Sequence, residues 1–181
     1  CRTSHEDLGM AVSIISNGSL ITDSWMREYG RFVDVLGVSV DSFIPETNAA
    51  IGRGDEDGNT NHHVERMLHV RDLCSQHHLT FKLNPVVCNW NWWEDMNERI
   101  QELEPARWKV FQVLVLQDEN SGGPGELRDA RPLVVSDEHF ESFVHRHQPA
   151  NQNILIPEPN NVMQNSYLLL DEELRFLDCS R

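Results

Sequence analysis

The sequence predicts an α/β protein built on a parallel sheet. Apolar, strand-like runs alternate with segments of helical periodicity along the first two thirds of the chain. Strand–helix units of this length join parallel strands through right-handed crossovers. The fourth strand, Trp108 to Leu116, is apolar almost throughout, as a strand buried on both faces should be.

The elements follow in order. Val12 to Ile15 is a strand that ends in the turn Ser16-Asn17-Gly18-Ser19. Thr22, Asp23 and Ser24 offer caps to a helix whose apolar residues Trp25, Tyr29 and Phe32 recur at i, i+4, i+7. Val35 to Val40 is the second strand, followed by a long polar loop from Asp41 to Asn61. A second helix carries Val64, Met67, Leu68 and Cys74 on one side, and Thr80 to Val87 is the third strand. The third helix starts near Trp93 with Met96, Ile100 and Leu103 inward. After the fourth strand comes a Gly/Pro-rich break, Asn120 to Gly125. Ser136 then caps a helix with Asp137 and Glu138 in its first turn, His145, Arg146 and His147 in its last, and Pro149 beyond its end. Tyr167 to Leu170 and Leu174 to Leu177 form a closing hairpin. The expected organisation is one domain over residues 1–181, with strand–helix units over 1–119 and loop, helix and hairpin over 120–181. Four such units make either part of a TIM-type barrel or a small doubly wound sheet.

Composition narrows the function. A formal net charge of −14 argues against an extended nucleic-acid or anionic-membrane surface. It leaves room for a small anion gripped by a few cations. No apolar run reaches the ~20 residues of a membrane helix, and residues 1–10 lack a signal-peptide core, so the chain is expected to be cytoplasmic. Cys1, Cys74, Cys88 and Cys179 form no C-x-x-C pair, so no zinc or cluster site is expected from them. No P-loop, dinucleotide fingerprint or nucleophile elbow is present.

The lysines carry more information. The chain has two, Lys82 and Lys109, and both lie in apolar, strand-like runs. Strand alternation puts Lys82 and Asn84 on one face, and likewise Arg107 and Lys109. On adjacent strands these four would share a surface. Such cations call for buried carboxylates or a bound polyanion, a triphosphate being the natural one, unless they sit at strand ends and reach water. Ser16, Asn17 and Ser39, where the first two strands end, suit a ribose or carboxylate and equally suit turns and caps. Arg53, between Gly52 and Gly54, can reach a carboxylate. A rival metal-ligand set, His62, Glu65 and His69, falls on one helical face. Trp90, Trp92 and Trp93 can stack a base or fix a loop to the core.

Several stretches, taken together, resemble the viperin family of radical S-adenosylmethionine (SAM) enzymes. They are Val12-Ser13-Ile14-Ile15-Ser16-Asn17-Gly18-Ser19-Leu20-Ile21, Ser39-Val40-Asp41-Ser42-Phe43, Ile51-Gly52-Arg53-Gly54, Phe81-Lys82-Leu83-Asn84, Arg107-Trp108-Lys109-Val110-Phe111-Gln112, Asn165-Ser166-Tyr167 and Arg175-Phe176-Leu177. The resemblance spans nearly the whole chain. It implies a partial (β/α)6 TIM-type radical SAM barrel, of which this is roughly the second half, strands three to six, plus a C-terminal β-hairpin. It also implies an antiviral enzyme that uses SAM and a [4Fe-4S] cluster to convert a nucleoside triphosphate, CTP or UTP, into its 3′-deoxy-3′,4′-didehydro analogue. By this resemblance Ser16, Asn17 and Ser39 contact SAM and Arg53 holds its carboxylate. Lys82, Asn84, Arg107 and Lys109 hold the triphosphate, and Tyr167 stands near the substrate radical as a hydrogen donor. Iron–sulfur delivery and electron-donor proteins are implied partners of the intact enzyme. The family's C-x-x-x-C-x-x-C motif is expected N-terminal to Cys1, as is any segment for peripheral association with endoplasmic reticulum or lipid droplets. This stretch is therefore expected not to turn over by itself. The alternative is a catalytically silent nucleotide-binding or protein-interaction module derived from the enzyme.

Overall fold

The computed structural model describes residues 1–53, 63–116, 120–126, 128–163, 169–170, 173 and 175–177. Its strands are β1 (Ser13–Ser16), β2 (Val35–Val38), β3 (Thr80–Leu83), β4 (Val86–Val87), β5 (Arg107–Gln112) and β6 (Leu155–Glu158), joined in one parallel sheet. The helices are α1 (Asp23–Tyr29), α2 (Pro45–Ile51), α3 (His63–Gln76), α4 (Asn97–Leu103), α5 (Asp137–Asn151) and α6 (Asn160–Met163). A two-stranded antiparallel hairpin pairs β7 (Leu169–Leu170) with β8 (Phe176–Leu177).

The strand order decides between the two architectures. β1, β2, β3, β5 and β6 lie side by side in chain order, with β4 also on β5. A doubly wound sheet would reverse its order at a switch point. This sheet never does, and it curves through 218° as half a barrel. β3 and β4 are one strand interrupted at Asn84-Pro85. Lys82 pairs with Arg107 and Val86 with Phe111, so the register carries straight through the interruption. Pro85 lacks an N–H, yet its carbonyl still accepts the Phe111 N–H at 2.9 Å.

One face of the sheet is packed by helices. Leu36, Val38, Phe81, Leu83, Trp108 and Val110 meet Met67, Val70 and Leu73 of α3, Ile100 and Leu103 of α4, and Phe140 and Phe143 of α5 in one buried cluster. Each such side chain contributes about 1.5–3 kcal/mol through burial. The alternate residues of the same strands, among them Lys82, Lys109 and Phe111, face the concave side and are only part-buried.

Five sequence expectations need correction. The loop 41–61 contains α2, with Pro45 in its first turn and Gly52 closing it at φ 83°. The third helix starts at Asn97 rather than near Trp93, because buried Asn91 ties a turn there. Asn91 accepts the Cys88 N–H and donates to the carbonyls of Asp41 and Val86. β5 stops at Gln112, whose side chain turns to Asp137 and the Asn160 N–H. α5 runs through Pro149 to Asn151, so His147 is a fully buried interior residue and not a last-turn cation. A fifth parallel position, β6, lies outside the expected strands. Pro157 interrupts its apolar run, a residue tolerated in a strand only where no ladder N–H is required.

Candidate functional site on the concave face

Register builds the site. Lys82 pairs directly with Gly37 on one side and Arg107 on the other. One step toward the C-terminal ends lies a second row, with Asn84 beside Lys109 and Lys109 opposite Ile156. A third row holds Val86, Phe111 and Glu158. The fold thus brings Lys82, Asn84, Arg107 and Lys109 together on one surface. Arg107, at the start of β5, is solvent-exposed, whereas both lysines are part-buried.

Gly37 makes the close approach possible. A Cβ there would lie 2.4 Å from Ile15 Cδ1 and 3.6 Å from Asn84 Nδ2. Asn84 is 7% exposed, and its Oδ1 has no hydrogen-bond partner. Lys109 Nζ lies 2.7 Å from Glu158 Oε1 and 5.3 Å from the Phe111 ring centroid. Partial burial, then the neighbouring Lys109 and Arg107 charges, push the Lys82 ammonium below the ordinary lysine range, and Glu158 offsets part of this. Among the described residues the surface therefore gathers three cations against one carboxylate.

Beyond the third row, a cleft of about 650 Å3 opens between Val86 and Phe111 and the loop residues Asp41, Arg53 and Arg128. Asp41, 3% exposed, holds it together. One carboxylate oxygen accepts the Val86 N–H at 2.8 Å and the other meets Arg53 Nε at 2.5 Å. Next to it, buried Glu94 accepts from Ser42 Oγ at 2.5 Å and from the Phe43 N–H at 2.8 Å. Burial raises the Glu94 carboxyl above its usual range, which those two donors partly counter.

Ser16, Asn17 and Ser39 stand at the adjoining ends of β1 and β2, where the Ser39 N–H donates to the Ser16 carbonyl. Ser16 Oγ accepts the Gly18 N–H, and Asn17 Oδ1 accepts from the N–H and hydroxyl of Ser19. Both side chains therefore serve the turn. Tyr167 lies outside the described residues, as does His62 of the rival metal set. Of that set, Glu65 is exposed and His69 Nε2 lies 3.5 Å from Asp23. Trp92 stacks on His139 of α5 at 3.7 Å, fixing its loop, while Trp90 and Trp93 are half-exposed.

Sequence reasoning missed Glu158, Glu94 and the role of Asp41. The run Asn153-Ile154-Leu155-Ile156 before Pro157 was the available signal for β6 and hence for Glu158. Asp41 meets Val86 and Arg53, and Glu94 meets Ser42 and Phe43, only in three dimensions.

An iron–sulfur cluster requires several thiolates close together. Among the described residues Cys1 is exposed while Cys74 and Cys88 are buried. Burial pushes the Cys74 thiol up to about 12 and raises Cys88 as well. No group of three His, Cys, Asp or Glu among the described residues is arranged to hold a metal ion. These residues do not fit a cluster. No helix among them is long and apolar enough to cross a membrane.

The fold is that of a radical SAM barrel. A structure of anSMEcpe with bound AdoMet and a peptide superposes with a TM-score of 0.58 at 18% identity, covering 81% of this chain and 40% of that one. SuiB bound to S-adenosylmethionine gives 0.57 at 11% identity, covering 93% and 38%. No family model matches the chain. The S-adenosylmethionine-dependent nucleotide dehydratase RSAD2 of Danio rerio is 47% identical over 169 residues, 93% of this chain and 45% of that protein. The S-adenosylmethionine-dependent nucleotide dehydratase of a Thermoplasmatales archaeon is 32% identical over 170 residues, 94% and 57%. The chain belongs to this viperin-like family of SAM-dependent nucleotide dehydratases and spans about half the length of the curated relatives it matches.

Proposed function

We propose that this chain is the substrate-binding portion of a radical SAM nucleotide dehydratase acting on a nucleoside triphosphate, CTP or UTP, in antiviral defence. One observation carries the reading. Lys82, Arg107 and Lys109 converge on one concave surface with Glu158 as the carboxylate among them and with the buried, unpartnered Asn84 Oδ1 beside them. Among the described residues three cations stand beside one carboxylate, an arrangement suited to a polyanion, and a triphosphate meets Lys and Arg through charge-assisted hydrogen bonds.

On this reading the residues at the mouth bind SAM. Ser16, Asn17 and Ser39 stand at the strand ends for its polar groups, and Arg53, oriented by Asp41, takes its carboxylate. In the whole enzyme SAM and a cluster, held by groups other than the described residues, would supply the radical chemistry that converts the nucleotide to its 3′-deoxy-3′,4′-didehydro analogue. That chemistry belongs to the cofactor. Radical generation is assigned to no described residue, and Tyr167 is proposed as the hydrogen donor near the sugar. The chain's own residues bind the phosphates, orient the sugar toward the mouth and hold the SAM carboxylate. Iron–sulfur delivery and electron-donor proteins are proposed partners of the whole enzyme.

Calorimetric titration of the purified chain with CTP and UTP tests the reading. Saturable binding, lost in a Lys82→Ala/Lys109→Ala double variant that keeps its circular dichroism spectrum, is the expected result. Equal affinity in the double variant would refute it.

A further inference from the structure

The three rows of the concave face run from phosphate chemistry to something different. Lys82 with Arg107, then Asn84 with Lys109, present donors. The third row presents Val86, the Phe111 ring and the Glu158 carboxylate. Rows are two residues apart, about 6.5 Å along the strands. An ionised carboxylate only accepts hydrogen bonds, so Glu158 cannot be a phosphate ligand. It needs a donor.

Lys109 supplies it at 2.7 Å. On the triphosphate reading Lys109 meets both Glu158 and a phosphate oxygen. A phosphate oxygen bound to Lys109 lies about 2.8 Å from Nζ. It is then no more than roughly 5.5 Å from the Glu158 oxygen, by adding that contact to the observed one. With the α-phosphate at Lys109, this span reaches the hydroxyls of the sugar and falls short of the far edge of the base. Glu158 is 13% exposed and Lys109 18%, so neither reaches freely into solvent. Phe111 lies beside them and also lines the cleft that contains Arg53.

We propose that Glu158 is the residue by which this site reads the sugar, its carboxylate accepting hydrogen bonds from the ribose hydroxyls of the bound nucleoside triphosphate. This rests on the reading of the concave face as a triphosphate site. It makes Glu158 a specificity-determining residue. A site built to bond a hydroxyl rejects the analogue that lacks it, because its own polar group is left unpaired.

The test compares CTP, 2′-deoxy-CTP, 3′-deoxy-CTP and inorganic tripolyphosphate by calorimetry on the purified chain and on two variants. Glu158→Gln removes the charge at constant shape, and Glu158→Leu removes the acceptor. Circular dichroism checks that each folds, and the Gln variant decides the matter if the Leu variant does not. The native chain is expected to bind CTP about tenfold or more tighter than at least one deoxy analogue. That ratio shrinks in the variants, while tripolyphosphate affinity stays the same or rises. An unchanged ratio in a folded variant overturns the proposal. So does a fall in CTP and tripolyphosphate affinity by the same factor, since Glu158 would then only place Lys109. Failure of the native chain to bind tripolyphosphate or CTP would overturn the triphosphate reading itself, a different and separable result.

Discussion

Asp41 joins Arg53 to the sheet. Its Oδ2 lies 2.5 Å from Arg53 Nε while its Oδ1 accepts the Val86 N–H at 2.8 Å, so the carboxylate ties the α2 exit to the start of β4. Asp41→Ala leaves the Val86 N–H without this acceptor and is expected to cost about 1–3 kcal/mol. Asp41→Asn keeps an oxygen for Val86 and loses only the charge opposite Arg53, which is about a third exposed, so it costs less. Urea unfolding of the two variants should rank them in that order, and SAM titration should show weaker binding in both.

The two lysines are expected to differ in stability although both serve the same surface. Lys109 neutralises Glu158, which is 13% exposed, so Lys109→Ala strands a carboxylate and destabilises the fold. Lys82 is held against the charges of Lys109 and Arg107, so Lys82→Met relieves repulsion. Lys82→Met should unfold at the same or higher urea concentration than the native chain, and Lys109→Ala at lower. Both should weaken CTP binding. A Lys82→Met variant that loses stability would contradict the repulsion.

The lysines were legible because strand alternation is strict. Once Phe81 and Trp108 are inward, Lys82 and Lys109 must face the other way, and Asn84 and Arg107 with them. Glu158 was not legible for a specific reason. Pro157 sits in the middle of β6 and disguised a strand whose register with Val110 and Phe111 puts the carboxylate on the site. Helix α2 was hidden by its polar composition, although Pro45 and Gly52 marked its ends. His147 looked like a cation at a helix end because Pro149 follows it. The helix continues for two residues past Pro149, and that extension buries the ring.

That ring sets a dependence on pH. His147 Nε2 accepts the Met96 N–H at 2.9 Å, so Nδ1 carries the proton and donates to the Phe143 carbonyl at 2.7 Å. The imidazole is neutral. Burial lowers its folded-state value below that of an ordinary histidine, against the Phe143 carbonyl and Asp95, which pull the other way, and Arg146, which adds to the lowering. The unfolded chain thus takes up the proton first as pH falls. The stabilisation is present above about pH 6.5 and is lost as pH drops through the folded value. Urea midpoints at pH 7.5 and 5 should fall for the native chain, and His147→Gln should flatten the difference. A variant with the same pH slope as the native chain would assign the effect elsewhere.

Gly37 offers the most selective probe of the surface. Its neighbours Ile15 and Lys82 flank it in register, and an added Cβ would sit 2.4 Å from Ile15 Cδ1. Ile15 is 51% exposed, so that methyl can swing away into open space. Gly37→Ala also restricts the unfolded chain, a gain of about 0.4–1 kcal/mol that offsets the displacement. Stability should therefore stay within about 1 kcal/mol of the native chain. The methyl nevertheless lands on the floor between Ile15, Lys82 and Asn84, 3.6 Å from Asn84 Nδ2. A ligand lying on that floor would lose room. Gly37→Ala should leave the urea midpoint nearly unchanged and weaken tripolyphosphate and CTP binding together, because the methyl stands in the phosphate rows. Native affinity for both ligands in a folded variant would move the phosphates away from Gly37 and off the first row.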